Sequence, residues 1–343
     1  MQLRLLICAG GFAVLALATA SAGSAGSVAD FYKGRTVKME IGYSPGGGYD
    51  LYARTVARFL GRHIPGNPTI VPKNMEGAGS LRLANWLYSA APKDGTEMGT
   101  IGRGIAFDPL LGNPGAEFDP LKLTWLGSAN NEVSVCVSWY TSGITKFEDL
   151  YRKPMTVGGT GGGSDTDVFP HVLDGVLGTK MKVVSGYLGG NNISLAMERG
   201  EVQGRCGWSW SSVVATHSDW IKQHKINVLA QLSLSKHPDL PNVPLIMDLA
   251  KTTEQKQILK VIFARQVMGR PYLAPPDLRS DRARALQQAF MDTMKDADFL
   301  AEAKKEKLEI NPVSGAEVEQ VLKDAYQTPK AVAAKAARLA NGE

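Results

Sequence analysis

The sequence alternates short β-type segments with amphipathic helical segments along most of its length. Apolar and polar residues alternate between residues 37 and 43, and apolar residues then recur at helical spacing between 52 and 60. The order is repeated by a β-type segment at 155–157 and a helical segment at 165–177. Such alternation predicts α/β architecture with mostly parallel sheets. Ligands in these sheets bind beyond the carboxyl ends of the strands, near helix N-termini.

Composition limits the class of protein further. The chain has 343 residues, of which 44% are hydrophobic and 21% charged, as expected for a globular protein with room for two lobes. The net charge of +5 is spread along the chain. Because no block of Lys and Arg is present, the charge is interpreted as solvated surface rather than a nucleic-acid site.

The N-terminus has the pattern of a secretory signal peptide. Arg4 precedes an apolar run from Leu5 to Ala18, and small residues follow up to Ala22. The run is short for a membrane span, and no later stretch reaches about 18 apolar residues. We therefore expect residues 1–22 to be removed and the mature protein to be soluble in the periplasm.

Two cysteines remain after such processing, Cys136 and Cys206. An oxidising compartment permits a disulfide between them. Two buried free thiols are equally compatible with the sequence, because cysteine is among the most buried residue types.

Two glycine-rich turns each join a strand to a helix. They are 44–50 (Ser-Pro-Gly-Gly-Gly-Tyr-Asp) and 158–165 (Gly-Gly-Thr-Gly-Gly-Gly-Ser-Asp). Glycine lets the backbone approach a ligand, and a helix N-terminus offers N–H groups and a positive dipole end to an anion. Neither turn matches a P-loop or a dinucleotide fingerprint. The pair predicts a clamp for an anion, with tight turns and helix capping by Asp50 as the alternative.

The sequence gives no sign of catalysis. No nucleophile elbow, His-Glu-x-x-His motif or zinc-type Cys/His spacing is present, and the five histidines are scattered. We expect no catalytic residues, no metal and no cofactor.

A series of short motifs occurs in a specific order after the signal segment. The series is Pro-Gly-Gly at 45–47 with Asp50 and Ala53-Arg54, 74–80 (Asn-Met-Glu-Gly-Ala-Gly-Ser), 91–96 (Ala-Pro-Lys-Asp-Gly-Thr), 158–164, 187–190 (Tyr-Leu-Gly-Gly), 200–202, 270–276 and 298–299. In this order the sequence resembles the substrate-binding receptors of tripartite tricarboxylate transporters, also called Bug-type receptors. The resemblance covers nearly the whole chain after the signal segment.

The resemblance implies a two-lobed, periplasmic-binding-protein-like (type II) α/β fold that closes about a hinge on one ligand. The first lobe would comprise 28–131 plus 251–343, and the second 132–250. The implied partners are a small organic carboxylate and the large and small membrane subunits of the transporter, with the receptor a monomer. In this family the carboxylate is commonly held by backbone groups and ordered waters, without an arginine. The implied ligand-binding residues are Ser44, Gly47, Gly48, Asp50, Gly79, Ser80, Thr160, Gly162, Gly163, Ser164, Asp165 and Tyr187.

Two departures from the family bear on the ligand. Met75 and Glu76 stand where basic or small residues are usual, and the run 205–210 (Arg-Cys-Gly-Trp-Ser-Trp) is bulkier than is usual. A bulky wall restricts ligand size, so a tricarboxylate is not implied. Alternatives are a periplasmic enzyme and a sensor-type binding protein of the same fold, since fold does not fix function.

Overall fold

The computed structural model describes residues 27–343, and the predicted signal peptide at 1–22 lies outside these residues. Two β-sheets with surrounding helices make up the described chain. The strands are β1 (Thr36–Ile41), β2 (Thr69–Asn74), β3 (Glu97–Thr100), β4 (Thr124–Ser128), β5 (Ser134–Trp139), β6 (Met155–Gly158), β7 (Met181–Val184), β8 (Gly204–Ser209), β9 (Ile226–Leu232), β10 (Pro271–Ala274) and β11 (Val313–Ser314).

The helices are distributed between the strands and in the C-terminal part. They are α1 (Val28–Tyr32), α2 (Gly48–Leu60), α3 (Leu81–Ser89), α4 (Asp165–Leu177), α5 (Gly190–Glu198), α6 (Trp210–Thr216), α7 (Ser218–Lys222), α8 (Ile246–Leu249), α9 (Thr253–Phe263), α10 (Ser280–Thr293), α11 (Ala297–Lys305), α12 (Gly315–Tyr326) and α13 (Lys330–Ala340). Short 3₁₀ helices occupy Gly61–His63, Ala78–Ser80, Ile105–Phe107, Phe147–Tyr151 and Ala264–Met268.

The strand order differs from a purely parallel arrangement. The first sheet has the order β11-β4-β10-β3-β1-β2 and the second β7-β6-β8-β5-β9. β1 is parallel to β2 and β3, and β6 is parallel to β7 and β8. Every antiparallel pair involves β4, β5 or β10. The prediction of mostly parallel sheets is therefore wrong, because the chain passes between the sheets at β4–β5 and β9–β10 instead of returning through a helix to the same sheet.

The two sheets define two lobes. All strands of the first sheet fall within 28–131 and 251–343, and all strands of the second within 132–250. The C-terminal helices bridge this division. In α9, the Phe263 ring lies 5.2 Å from the Phe169 ring of α4, and Gln255 Nε2 donates to the Val176 carbonyl at 2.6 Å. Helices α9 and α13 therefore pack on the second lobe, although they belong to the chain segment that was predicted for the first. The lobe boundaries at 131/132 and 250/251 stay a prediction.

Helix α2 shows how the sequence orients the first glycine-rich turn. Its apolar residues Tyr52, Val56 and Leu60 are fully or almost fully buried in the core of the first lobe. The 3.6-residue period places these residues on one face, so packing fixes the rotation of the helix. Gly47 and Gly48 are consequently held at the mouth of the cleft, where α2 begins.

A disulfide joins the neighbouring strands β5 and β8 in the second lobe. It links Cys136 to Cys206 across 70 residues of sequence, and both cysteines are fully buried. Within residues 27–343 no helix is both long and apolar enough to cross a membrane.

Candidate functional site

A small cavity lies between the two lobes, with about 50 Å³ of open space. Its walls come from the turn after β1, the turn after β3, the turn after β6 and the end of β8. This position, beyond the carboxyl ends of parallel strands, is where α/β proteins bind ligands.

The lobes touch directly beside the cavity. Ser44 Oγ lies 3.0 Å from Asn191 Oδ1 and 2.9 Å from Asn192 Oδ1, and the Ser44 N–H donates to the Leu188 carbonyl at 3.2 Å. A Cβ atom added at Gly48 would overlap Ser212 Oγ and lie 2.9 Å from Ser212 Cβ. The structure is therefore a closed form, in which Gly48 permits the approach of α2 to α6.

Three arginines reach the cavity, and two of them pair with carboxylates. Arg103 Nε donates to Asp165 Oδ2 at 2.7 Å, and Nη2 donates to Ser134 Oγ at 2.7 Å. Burial lowers the pKa of Arg103, but Asp165 more than offsets this, so that the pKa is raised overall. Arg270 lies 3.5 Å from a Glu132 oxygen and donates to Ser212 Oγ at 2.6 Å.

Arg205 is the third arginine, and its charge is not neutralised. Nη1 donates to the Gly190 carbonyl at 3.1 Å, and the guanidinium stacks over the Trp208 ring at 4.7 Å. Its buried Nε has no hydrogen-bond partner, and no carboxylate among residues 27–343 forms an ion pair with it. Burial, with the nearby Arg270 and Arg103, lowers the pKa of Arg205 to about 9. Arg205 is partly buried, and a partly desolvated cation without a counter-ion is costly, so this position favours an anion.

The sequence analysis assigned no role to an arginine. The expectation that backbone groups suffice to hold the ligand stays a prediction, and the structure adds Arg205 to the residues that line the cavity. The sequence feature that contains Arg205 is the bulky run 205–210, which was interpreted only as a wall that restricts ligand size. All six residues of β8 are buried or partly buried, so alternation along the strand could not show which side chain faces the cleft.

Two helix N-termini face the cavity from opposite sides. Helix α2 begins at Gly48 with Gly47 as its N-cap, and α5 begins at Gly190 after Gly189. Residues 46–48 and Gly190 line the cavity. The first glycine-rich turn is thus placed where its amide groups can meet an anion.

Asp50 has a structural environment at the start of α2. It accepts hydrogen bonds from the Gly46 N–H at 3.0 Å, Arg54 Nε at 2.9 Å and Asn74 Nδ2 at 2.8 Å. Burial raises the pKa of Asp50, but the hydrogen bonds lower it by more, so the pKa is below its usual range. Asp50 does not line the cavity; it fixes the turn and the first turn of α2.

The second glycine-rich turn uses its own side chains to bind its backbone. The Thr160 N–H donates to Thr166 Oγ1 at 3.0 Å, and the Gly161 N–H donates to Asp167 Oδ2 at 3.0 Å. The Ser164 hydroxyl also donates to Asp167, at 2.8 Å. Because these N–H groups are already bonded, the turn is less able to hold a carboxylate than its glycine pattern suggested. Acidic residues in the first turn of α4 also offset the positive end of the helix dipole.

The predicted ligand-binding residues fall into two groups. Those that line the cavity are Gly47, Gly48, Thr160, Ser164 and Asp165. Those that do not are Ser44, Asp50, Gly79, Ser80, Gly162, Gly163 and Tyr187.

Most of the second group lie at contacts that shape or close the cleft. A Cβ added at Gly79 would lie 2.9 Å from Ser164 Cβ, and Ser80 Oγ accepts from the Gly102 N–H at 2.6 Å. Gly163 has φ +81° and abuts Asp108, whose pKa burial raises to about 7. Gly162 differs from these residues, because a Cβ there would meet no atom within 4 Å.

One end of the cavity is aromatic. Trp208 packs edge-on against His217 with ring centroids 5.0 Å apart, and His217 packs against Trp220 at 4.3 Å. Burial, together with Arg205, lowers the pKa of His217 to about 4, so the ring is neutral at pH 7. Both tryptophans of the bulky run 205–210, Trp208 and Trp210, are almost fully buried, and Trp208 lines the cavity.

No group of three or more His, Cys, Asp or Glu side chains in the described part of the chain could hold a metal ion. Neither a search of protein-family models nor a search of curated proteins found a match.

Solved structures of periplasmic binding proteins have the same fold. The periplasmic binding protein BugD superposes with a TM-score of 0.72 at 17% identity, over 89% of this chain and 98% of BugD. A Rhodopseudomonas palustris protein with adipate gives 0.69 at 16% identity, over 88% and 97% of the two chains. MatC from the same organism, with bound malate, gives 0.68 at 16% identity, over 87% and 99%. The two-lobed α/β fold predicted from the sequence is confirmed.

Proposed function

We propose that the protein is a periplasmic solute-binding receptor that captures a small carboxylate between its lobes and delivers it to a tripartite tricarboxylate-type membrane transporter. The observation that carries the proposal is Arg205, a cation in the closed cleft with no carboxylate partner among the described residues. A carboxylate of the ligand would supply that partner and accept a charge-assisted hydrogen bond.

The surroundings of Arg205 fit a binding site for an anion. The N-termini of α2 and α5 add positive ends of helix dipoles at the same cavity. Two proteins of the same fold were solved with carboxylates, malate and adipate. Export to the periplasm, action as a monomer and pairing with the large and small membrane subunits belong to the proposal; the signal-like N-terminal sequence supports export.

A binding role is favoured over catalysis. The cavity holds one histidine, His217, whose low pKa and aromatic surroundings do not suit a base poised near pH 7. Among residues 27–343 the one hydroxyl that is hydrogen-bonded to His217 belongs to Thr216, and it donates its hydrogen to a backbone carbonyl. A periplasmic enzyme or a sensor-type receptor for a small organic acid is the alternative.

The test is calorimetric titration of the mature protein with short carboxylates, together with native mass spectrometry of the purified material. Losing a hydrogen-bonded charge contact costs about 1.5–3 kcal/mol, so Arg205→Gln should weaken binding roughly tenfold to hundredfold. Arg199→Gln is the matched control, because Arg199 is exposed at the end of α5 and pairs only loosely with Glu201 at 3.8 Å. Equal affinity of both variants for the ligand would refute the role of Arg205. Recovery of a chemically changed ligand would favour the enzyme.

The transport step needs a separate measurement. Uptake of the ligand should require both this protein and the membrane subunits of the transporter. Normal uptake in cells that lack those subunits would contradict delivery to a tripartite transporter while leaving the binding role intact.

A further inference from the structure

Arg205 and His217 contact the same indole ring at one end of the cavity. The Arg205 guanidinium lies 4.7 Å from the Trp208 ring centroid, and the His217 ring lies 5.0 Å from it. Arg205, Trp208 and His217 all line the cavity. One short molecule lying against Trp208 can therefore reach both side chains.

The hydrogen-bond network assigns the tautomer of His217. The Thr216 hydroxyl donates its only hydrogen to the Ser212 carbonyl at 2.7 Å, since a carbonyl oxygen can only accept. Thr216 Oγ1 must then accept from His217 Nδ1, 2.6 Å away. The neutral ring carries one N–H, so Nε2 has a lone pair and is a hydrogen-bond acceptor. Nothing in residues 27–343 donates to this nitrogen within hydrogen-bond distance.

The charges around the cavity set the sign of the charge on the ligand. Asp165 pairs with Arg103 and lies 3.5 Å from the fully buried Arg265, and Glu132 pairs with Arg270. The arginines therefore outnumber these carboxylates, and Arg205 has no carboxylate partner among residues 27–343, so the site favours an anion.

The volume of the cavity sets the size of the ligand. A cavity of roughly 150 Å³ holds benzene, and one water occupies about 10–15 Å³ on the same kind of measure. At about 50 Å³, the closed cavity suits a molecule much smaller than malate or adipate.

We infer that this site selects a short carboxylate carrying a hydroxyl group close to the carboxylate, with Arg205 binding the carboxylate and His217 Nε2 accepting from the hydroxyl. This inference rests on the proposed function and narrows its ligand class. Trp208 supplies the apolar surface on which the carbon chain lies.

The experiment is calorimetric titration of the mature protein with four small probes, followed by malate and adipate. Glycolate and propionate have the same charge and the same number of non-hydrogen atoms, and differ only by a hydroxyl in place of a methyl group. Malonate adds a second negative charge, and glycine replaces the hydroxyl by an ammonium group. We expect glycolate to bind at least tenfold more tightly than each of the other three, because propionate leaves Nε2 unpaired, the second carboxylate of malonate can only accept hydrogen bonds and glycine brings a cation towards Arg205.

Two variants assign the preference to His217. His217→Phe keeps an aromatic ring beside Trp208 but removes the acceptor, so the ratio of propionate to glycolate dissociation constants should fall to about one. His217→Gln offers an amide oxygen instead and should retain part of the preference. Arg205→Gln should weaken glycolate and propionate by the same factor.

The outcomes separate the inference from the proposed function. Equal affinities for glycolate and propionate, or tighter binding of malonate, would overturn the inference. If malate or adipate bound and Arg205→Gln weakened that binding, but glycolate did not bind, the inference would be wrong and the proposed carboxylate receptor would stand. If none of these acids bound, both would fall.

Discussion

Gly48 offers a direct test of cleft closure. In the closed structure the position of its absent Cβ is occupied by Ser212 of the other lobe, and Arg270 Nη2 lies 3.3 Å away. Gly48 is the first residue of α2 and its φ is not positive, so alanine can adopt the same backbone. The variant Gly48→Ala should therefore fold normally and be unable to close fully.

The size of the effect follows from the contacts of Ser212. To admit the methyl group, Ser212 Oγ must turn away and lose its 2.6 Å hydrogen bond from Arg270. Ser212 Cβ would still be only 2.9 Å from the new carbon. Losing a hydrogen bond to a charged donor costs about 1.5–3 kcal/mol in the closed state, which is roughly a tenfold to hundredfold loss of ligand affinity. The free energy of unfolding should stay level or rise by up to about 1 kcal/mol, because alanine is a better helix former than glycine.

The assay combines calorimetric titration with small-angle X-ray scattering at saturating ligand. Gly162→Ala is the matched control, because a Cβ there meets nothing, and it should bind with wild-type affinity. Ser212→Gly removes both the obstructing side chain and the hydrogen bond to Arg270. Adding Gly48→Ala to Ser212→Gly should therefore cost little further affinity, and a double-mutant cycle measures this coupling. Wild-type affinity in Gly48→Ala, or no coupling between Gly48→Ala and Ser212→Gly, would refute the idea that this contact closes the cleft.

Two further predictions concern stability. Replacing Cys136 and Cys206 by serine should lower the free energy of unfolding by about 4 kcal/mol on the loop-entropy model for a loop of about 70 residues, measured by urea denaturation; an unchanged denaturation midpoint would contradict the disulfide. Burial raises the pKa of Asp108 to about 7, so the folded state binds more protons than the unfolded state between about pH 4 and 7, and stability falls as pH rises through that range. Asp108→Asn should lose this fall and be more stable than the wild type at pH 8 by denaturation; identical pH profiles would show that Asp108 titrates normally.

The sequence was sufficient for the local structure around the first turn. Alternation between 37 and 43 and helical spacing from 52 to 60 correspond to β1 and α2, with Gly47 and Gly48 between them. These patterns could be interpreted because one face of each element is buried and periodicity records that burial. The mixed strand directions could not be seen in the same way, because periodicity does not show when the chain crosses to another sheet.

The second turn and Arg205 show why the site itself was harder to predict. The glycines in 158–163 showed where another group can approach the backbone closely. They did not show that the side chains of Thr166 and Asp167 accept hydrogen bonds from the N–H groups of this turn. Arg205 lies in a strand that is buried on both faces, so the alternation rule assigns it no side. Its missing partner is a property of the folded arrangement, because it depends on where Asp165 and Glu132 pair.

The charges of the closed cleft link ligand binding to closure. Arg103 follows β3 of the first sheet and Asp165 follows β6 of the second, so this ion pair joins the two sheets. Glu132, the partner of Arg270, lies between β4 and β5, where the chain crosses from one sheet to the other. Such pairs contribute little net free energy once desolvation is counted, and neither can drive closure strongly by itself. In the closed structure Arg205 is partly buried and has no carboxylate partner in the described chain, and the cost of desolvating this cation opposes the closed state. A ligand anion removes that penalty in the closed state only, and this difference in affinity between the two states is what a ligand needs to shift the equilibrium towards closure.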